Sequence, residues 1–271
     1  MTNTDDVVLD ALSMKLHDTD MAIDTLGPDM RRVGLAAAIK RISRGSNGNT
    51  DSTDHHMARV MKASLPREGN DDLKAEWLNA IFARVDARYG YGPDFDKAIQ
   101  MTAASMPEAF LERVFSGDEE QREKRLFFLE RGAYRCLILG KTDLDRIINW
   151  CRASEDPAVW EGVATAVKVF VTVGDEKSVT LSDDCVRLLE ACPSPDQVLN
   201  VYGFRIASDE TSGGRAASME RYLDALAVFT HHGNPEIAAS ATRMIADARI
   251  QVARERDREN REDEAREQTF E

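Results

Sequence analysis

The densest set of possible metal ligands or acid–base groups in this chain is Asp51, Asp54, His55 and His56. A zinc site or a proton-transferring dyad needs side chains that converge, which i, i+4 spacing on a helix provides. Adjacent histidines on a helix instead point about 100° apart. The segment therefore reads as a solvated helix start, capped by Thr53 or Asp54. His231 and His232 precede Gly233-Asn234-Pro235, where polar or positive side chains suit the negative end of a helix. His17 stands alone. Of the four cysteines, Cys136, Cys151, Cys185 and Cys192, no two form a CxxC. Cys185 and Cys192 can share one helix face, but without nearby histidines they read as small buried apolar side chains and not as zinc ligands.

Acidic pairs occur at Asp71-Asp72, Glu119-Glu120 and Asp183-Asp184. A glycosidase or metal-dependent nuclease needs two carboxylates that converge across a cleft. Asp183-Asp184 instead follow Ser182 at an expected helix start, where negative charge is favourable. There is no P-loop, no GxGxxG after a strand, no HExxH and no GxSxG. Gly213-Gly214 lies in the polar loop Ser208 to Arg215, which reads as flexibility, not as a phosphate cradle. Trp77, Trp150 and Trp160 stand at helical spacing among apolar neighbours, as packing residues do. No catalytic residue, metal ligand or cofactor site is assigned, and the expectation is a non-enzymatic protein.

Composition narrows the partner. Lys and Arg total 35 against 48 Asp and Glu, a formal net charge of −13. That balance disfavours nucleic acid and anionic membranes, both of which are held by cationic contacts to phosphate. One basic face on an acidic molecule would still bind nucleic acid. The opening MTNTDDVVLD has neither the cationic start nor the apolar run of a secretory signal. The longest apolar stretch, Val163 to Val173, is interrupted by Lys168 and is too short to span a bilayer. The expectation is a cytoplasmic protein with reduced thiols.

Positioning falls to helices almost everywhere. Val8, Leu12 and Leu16 share a face before the Gly27-Pro28 break, and Leu35, Ala38, Ile39 and Ile42 recur at helical spacing beyond it. The run from Arg44 to Asp51 has no apolar residue and reads as a flexible loop. Leu73, Trp77 and Ile81 line a helix ending near Tyr89 to Pro93. Further helices are expected at 94–105, 107–115 and 119–139, the last striped by Leu126, Leu129, Ala133 and Leu137. Val169 to Val173 and Ser178 to Leu181 could pair as a hairpin. A helix end followed by an extended connection is preferred, because no third strand is evident.

Helix pairs then recur about 142–170, 182–206 and 216–250. Each turns at a polar residue followed by proline: Asp156-Pro157, Ser194-Pro195 and Asn234-Pro235. The prolines recur at intervals of about forty residues, and a capped helix pair of that length resembles HEAT-like and armadillo-like solenoids. The fold class is all-α, either a HEAT-like stack of antiparallel helix pairs or an irregular helical bundle. The organisation is an N-terminal helical pair (1–44), a flexible loop (45–52), a helical-repeat body (53–253) and a charged helical tail (254–271). From Arg254 onward both signs of charge interleave without an apolar stripe, so the tail reads as an exposed arm whose removal leaves the core intact. The hinged pairs and the Arg/Glu-rich tail ending Glu267-Gln268-Thr269-Phe270-Glu271 also resemble the helical carboxyl-terminal regions of large bacterial multidomain proteins, some linked to phage defence. That resemblance implies a partner-recognition or regulatory module and carries no catalytic residue.

The expected function is a macromolecule-binding scaffold or regulatory subunit with a protein partner. Its surface is formed by helices at 158–170, 196–206 and 236–250, with Arg187, Arg205 and Arg243 as contributors. Alternatives are an acidic inhibitor or nucleic-acid mimic, and a HEAT-like nucleic-acid enzyme resembling alkylpurine glycosylases. The latter requires a basic groove holding an aromatic residue and a carboxylate. The oligomeric state is left open.

Overall fold

The computed structural model describes residues 4–18, 27–44, 51–87, 95–135, 138–173, 178–208 and 214–269. Most of the 45–52 loop, the Tyr89-to-Pro93 break, Cys136, Leu137, the Gly174-Asp175 turn, Gly213 and the final Phe270-Glu271 lie outside them, as do the side chains of Leu16, His17 and Ala133. Among the described residues the chain is all-α, with thirteen helices and one small hairpin. It divides into two compact units, one through Glu155 and one from Asp156. The division falls inside the first of the three proline hinges.

The first unit holds α1 (Thr4–Asp18), α2 (Pro28–Arg44), α3 (Asp51–Ser64), α4 (Asp71–Ala87), α5 (Asp96–Ser105), α6 (Pro107–Phe115), α7 (Glu119–Arg135) and α8 (Leu144–Ala153). Helix α2 buries the stripe its spacing predicts, with Leu35, Ala38 and Ile42 fully inaccessible. Helices α1 and α2 pack against each other and on α3 and α4, so the N-terminal pair belongs to the same core. Among the described side chains of α1, Leu9, Leu12 and Ser13 are buried and Val8 is half-buried. Trp77 of α4 is fully buried, and its indole N–H donates to Thr102 Oγ1 of α5 at 2.9 Å.

Two arginines tie this unit together. Arg125 of α7 donates from Nε and Nη2 to the two carboxylate oxygens of Asp86, at 2.9 and 2.6 Å. Its Nη1 donates to the carbonyls of Arg113 and Ser116, which end α6. Arg146 of α8 holds Glu108 of α6 in a similar fork, at 2.9 and 2.5 Å. Planar guanidinium groups match paired carboxylate oxygens, which fixes helix orientation as well as contributing energy.

The second unit holds α9 (Ala158–Ala164), β1 (Phe170–Val173), β2 (Ser178–Leu181), α10 (Asp183–Ala191), α11 (Pro195–Ser208), α12 (Arg215–Leu226), a 3-10 turn (Ala227–His231) and α13 (Pro235–Thr269). The hinge chemistry acts locally in part, because Pro157 stands at the cap position of α9 and not at its first helical position. Asp156 accepts from the Ala158 amide, Asn234 accepts from the Glu236 amide, and Pro195 and Pro235 open their helices. Helix α11 packs between α9 and α13, with α10 and α12 also against it.

One expectation is corrected here. Phe170–Val173 and Ser178–Leu181 pair as antiparallel strands and are not a bare extended connection, with Phe170 opposite Leu181 and Val173 opposite Ser178. A third strand is not needed, because α12 covers the pair: the Phe170 and Tyr222 rings lie 4.6 Å apart. The Ser182 amide and hydroxyl close the base of the hairpin on the carbonyls of Val169 and Lys168. The charged tail from residue 254 is helical and mostly exposed, with two residues turned toward α12. Helix α13 runs unbroken through it, and Glu255 and Glu259 are half-buried against α12. Arg256 pairs with Glu220, and Glu259 accepts from the amides of Arg215 and Ala216.

Candidate functional site

Helix α3 begins at Asp51, inside the segment expected to be loop, so Asp54 stands in its interior and does not cap it. Asp54 is buried, and its two oxygens accept from the amides of Lys97 and Ala98 at 3.0 and 2.9 Å. It caps α5, whose own cap residue, Phe95, offers no acceptor. Burial pushes the Asp54 carboxyl above the ordinary aspartate range, and the two amide bonds oppose that shift. His55 is exposed, and His56 places Nδ1 3.4 Å from an Asp10 oxygen. The densest cluster in the sequence is thus spread over three directions: Asp54 inward, His56 toward α1 and His55 outward. Among the described residues no group of three or more histidines, cysteines and acids is placed to hold a metal.

The acidic pairs also separate. Each lies in the first turn of a helix: Asp71-Asp72 on α4, Glu119-Glu120 on α7 and Asp183-Asp184 on α10. Arg32 hydrogen-bonds Asp72 at 3.1 Å and holds its carboxyl below the usual range. Ser182 caps α10 by accepting from the Cys185 amide. At the other end of α10, the imidazole of His232 lies 3.1 Å from Glu190, while its Nδ1 accepts from the Asn234 amide. The accepting Nδ1 requires the proton on Nε2, so neutral His232 donates to Glu190.

Cys151, Cys185 and Cys192 are buried and unpaired by disulfide. Burial pushes the Cys185 thiol up to about 12. The wholly buried Tyr202 hydroxyl donates to the Cys185 carbonyl at 3.0 Å, which closes the site to solvent. Since the thiolate is the reactive form, burial disfavours reaction at Cys185 and Cys192 in the folded state. In a Cys136→Ser background, a thiol reagent at pH 8 should label no cysteine until denaturant is added. Labelling of Cys185 at native conditions would show that the core around Tyr202 opens.

Of the helices expected to form a row, α11 packs against both α9 and α13, and α9 ends at Ala164, short of the expected 158–170, because Phe170 enters β1. The arginines named for that row are engaged within the chain. Arg205 is half-buried and donates to the Thr165 carbonyl at the end of α9. Arg243 of α13 pairs with Asp196 of α11 at 2.9 Å, and Arg187 is exposed on α10. What the row offers to solvent was not read from the sequence: Phe204, on the middle helix, is 75% exposed. The signal was present in the spacing, because Asp196 and Asn200 lie two turns and one turn before it on the same face. Val198, Leu199 and Tyr202 take the buried face instead. Trp77 and Trp160 are core residues, and Trp150 packs on Phe115 with ring centroids 5.4 Å apart. No helix among the described residues is long and apolar enough to cross a membrane.

A scan against protein-family models and a search of curated proteins each found no match, so the chain is shown to have a helical architecture and no family is assigned to it.

Proposed function

We propose that this protein is a non-enzymatic, protein-binding scaffold or regulatory subunit whose second unit is a short HEAT-like array. Support for the array comes from contacts that join neighbouring helices about forty residues apart in sequence. Arg205 reaches the end of α9 across 40 positions, and Gly203 of α11 lies against Met244 of α13, where a Cβ would stand 3.3 Å from the thioether. Arg243 leans toward its own helix start, bonding Ser240 as well as Asp196 near the start of α11. Side chains on helices lean toward the amino terminus, so this pair fits α11 and α13 running parallel, as second helices of successive repeats do.

The observation that carries the binding reading is Phe204. An aromatic side chain that is three-quarters exposed on the middle helix of such a row has the chemistry of an interface anchor, and aromatic residues are enriched at interfaces. The acidic-inhibitor alternative needs unpaired acids along this row, but Asp196 there is neutralised by Arg243. The test is capture by immobilised protein, with the partner identified and binding repeated with both components purified. Phe204→Asp should weaken binding at least tenfold without moving the melting temperature, since its ring packs little. Val7→Asp, at a 52% exposed site on α1, serves as the surface control. Equal binding by wild type and Phe204→Asp would remove the row as the contact surface.

A further inference from the structure

Helix α12 has no cap of its own. Gly214 holds the cap position with φ of 93°, a conformation glycine adopts without steric cost, and it has no side chain to accept the first amides. No acidic residue stands in the first turn of α12. The missing acceptor arrives from α13: one oxygen of Glu259 takes the amides of both Arg215 and Ala216, across 44 and 43 positions of sequence. Around it, Arg215 faces Glu255 at 3.9 Å, Arg256 pairs with Glu220, and Arg258 bonds Glu255 and Glu262. Val252, two turns before Glu259, is the last buried apolar residue of the helix among the described side chains. Beyond it, α13 meets α12 through Arg256 on Glu220, Glu255 near Arg215 and Glu259 on the two amides, contacts that are ionic or charge-assisted.

We propose that residues 254–259 form an electrostatic clasp, by which the charged extension of α13 docks on α12 or lets go as ionic strength changes. Docked, Glu259 supplies the cap that orders the start of α12. Released, α13 ends its packing at Val252, and the extension with its exposed residues 260–266 is presented to solvent as a mixed-charge helix. Apolar anchoring would make attachment insensitive to salt, whereas half-exposed ion pairs and a carboxylate at a helix start are screened. Helix α12 also packs on β1 through Tyr222 and Phe170.

Amide exchange at Arg215 and Ala216, followed by NMR on the full chain at 25 mM and 500 mM salt, tests this directly. In wild type, protection of these two amides should fall several-fold at high salt. Glu259→Ala should lose about tenfold in protection at low salt, the scale of a deleted helix cap. Glu259→Gln keeps an accepting oxygen without the charge, so it should retain part of the protection and lose most of its salt dependence. Glu264→Ala, on the exposed part of the helix, should match wild type. Wild-type protection in Glu259→Ala would overturn the clasp outright. Salt-independent protection in wild type would make Glu259 a fixed structural cap and overturn the switching.

Discussion

Replacing Arg125 with methionine should cost about 3–5 kcal/mol of unfolding free energy, the largest loss expected from any single surface-accessible or polar position in the first unit. Methionine keeps much of the apolar stem and removes the guanidinium. Asp86, which is 20% exposed at its side chain, then stands as a largely buried carboxylate without its fork of donors. The carbonyls of Arg113 and Ser116 lose their donor as well, so the carboxyl end of α6 frays. The guanidinium also lies 5.4 Å from the Phe82 ring centre, a contact methionine replaces only in part. Arg125→Lys should fall between the two, since an ammonium cannot bond both Asp86 oxygens and reach the α6 carbonyls at once. Urea denaturation followed by circular dichroism measures all three. A loss below about 1 kcal/mol for the methionine variant would mean that Arg125 is held as weakly as a surface ion pair.

Asp54→Ala should cost about 2–3 kcal/mol, because two amides at the start of α5 lose their acceptor in a buried place. Asp54→Asn keeps one accepting oxygen but turns a donor toward the second amide, so it should recover only part of that loss. The two variants also separate charge from geometry through pH. Burial raises the folded-state pKa of Asp54 above its value of 3.8 in an open chain. A carboxyl with a raised folded pKa contributes stability that is fully present below the open-chain value and is lost as pH rises through the folded one. Wild type should therefore gain stability relative to Asp54→Asn as pH falls from neutrality toward 3.8. A wild type that loses ground over that interval would show that the amide bonds outweigh burial and hold the carboxyl below its ordinary range.

The same residue shows where reading the chain stops. Asp54 beside two histidines has the appearance of a polar helix start, and nothing within four residues distinguishes water from buried amides as its partner. The partner is supplied 43 and 44 positions away. Glu259 repeats the case: it reads as one more charge in a solvated tail until α12 is folded against it. The hairpin is a third instance, since its strands alternate weakly and pack on Tyr222, which follows Leu181 after two whole helices.

The sequence by itself determined what depends on neighbours along the helix. The apolar stripe of α2, the Ser182 cap, the proline-opened helices and the pairing of Arg258 with Glu262 all arise within about four positions, the reach of helical geometry. It also excluded motif-based chemistry, because the required residues are missing at the required spacing. The tertiary structure alone decided which carboxylates face amides, which arginines are consumed within the chain, and that Phe204 faces water while Tyr202, two positions earlier, is wholly buried. A side chain's chemistry is fixed by its type, but its function follows from its partner. Here the deciding partners lie some forty residues away, beyond any local periodicity.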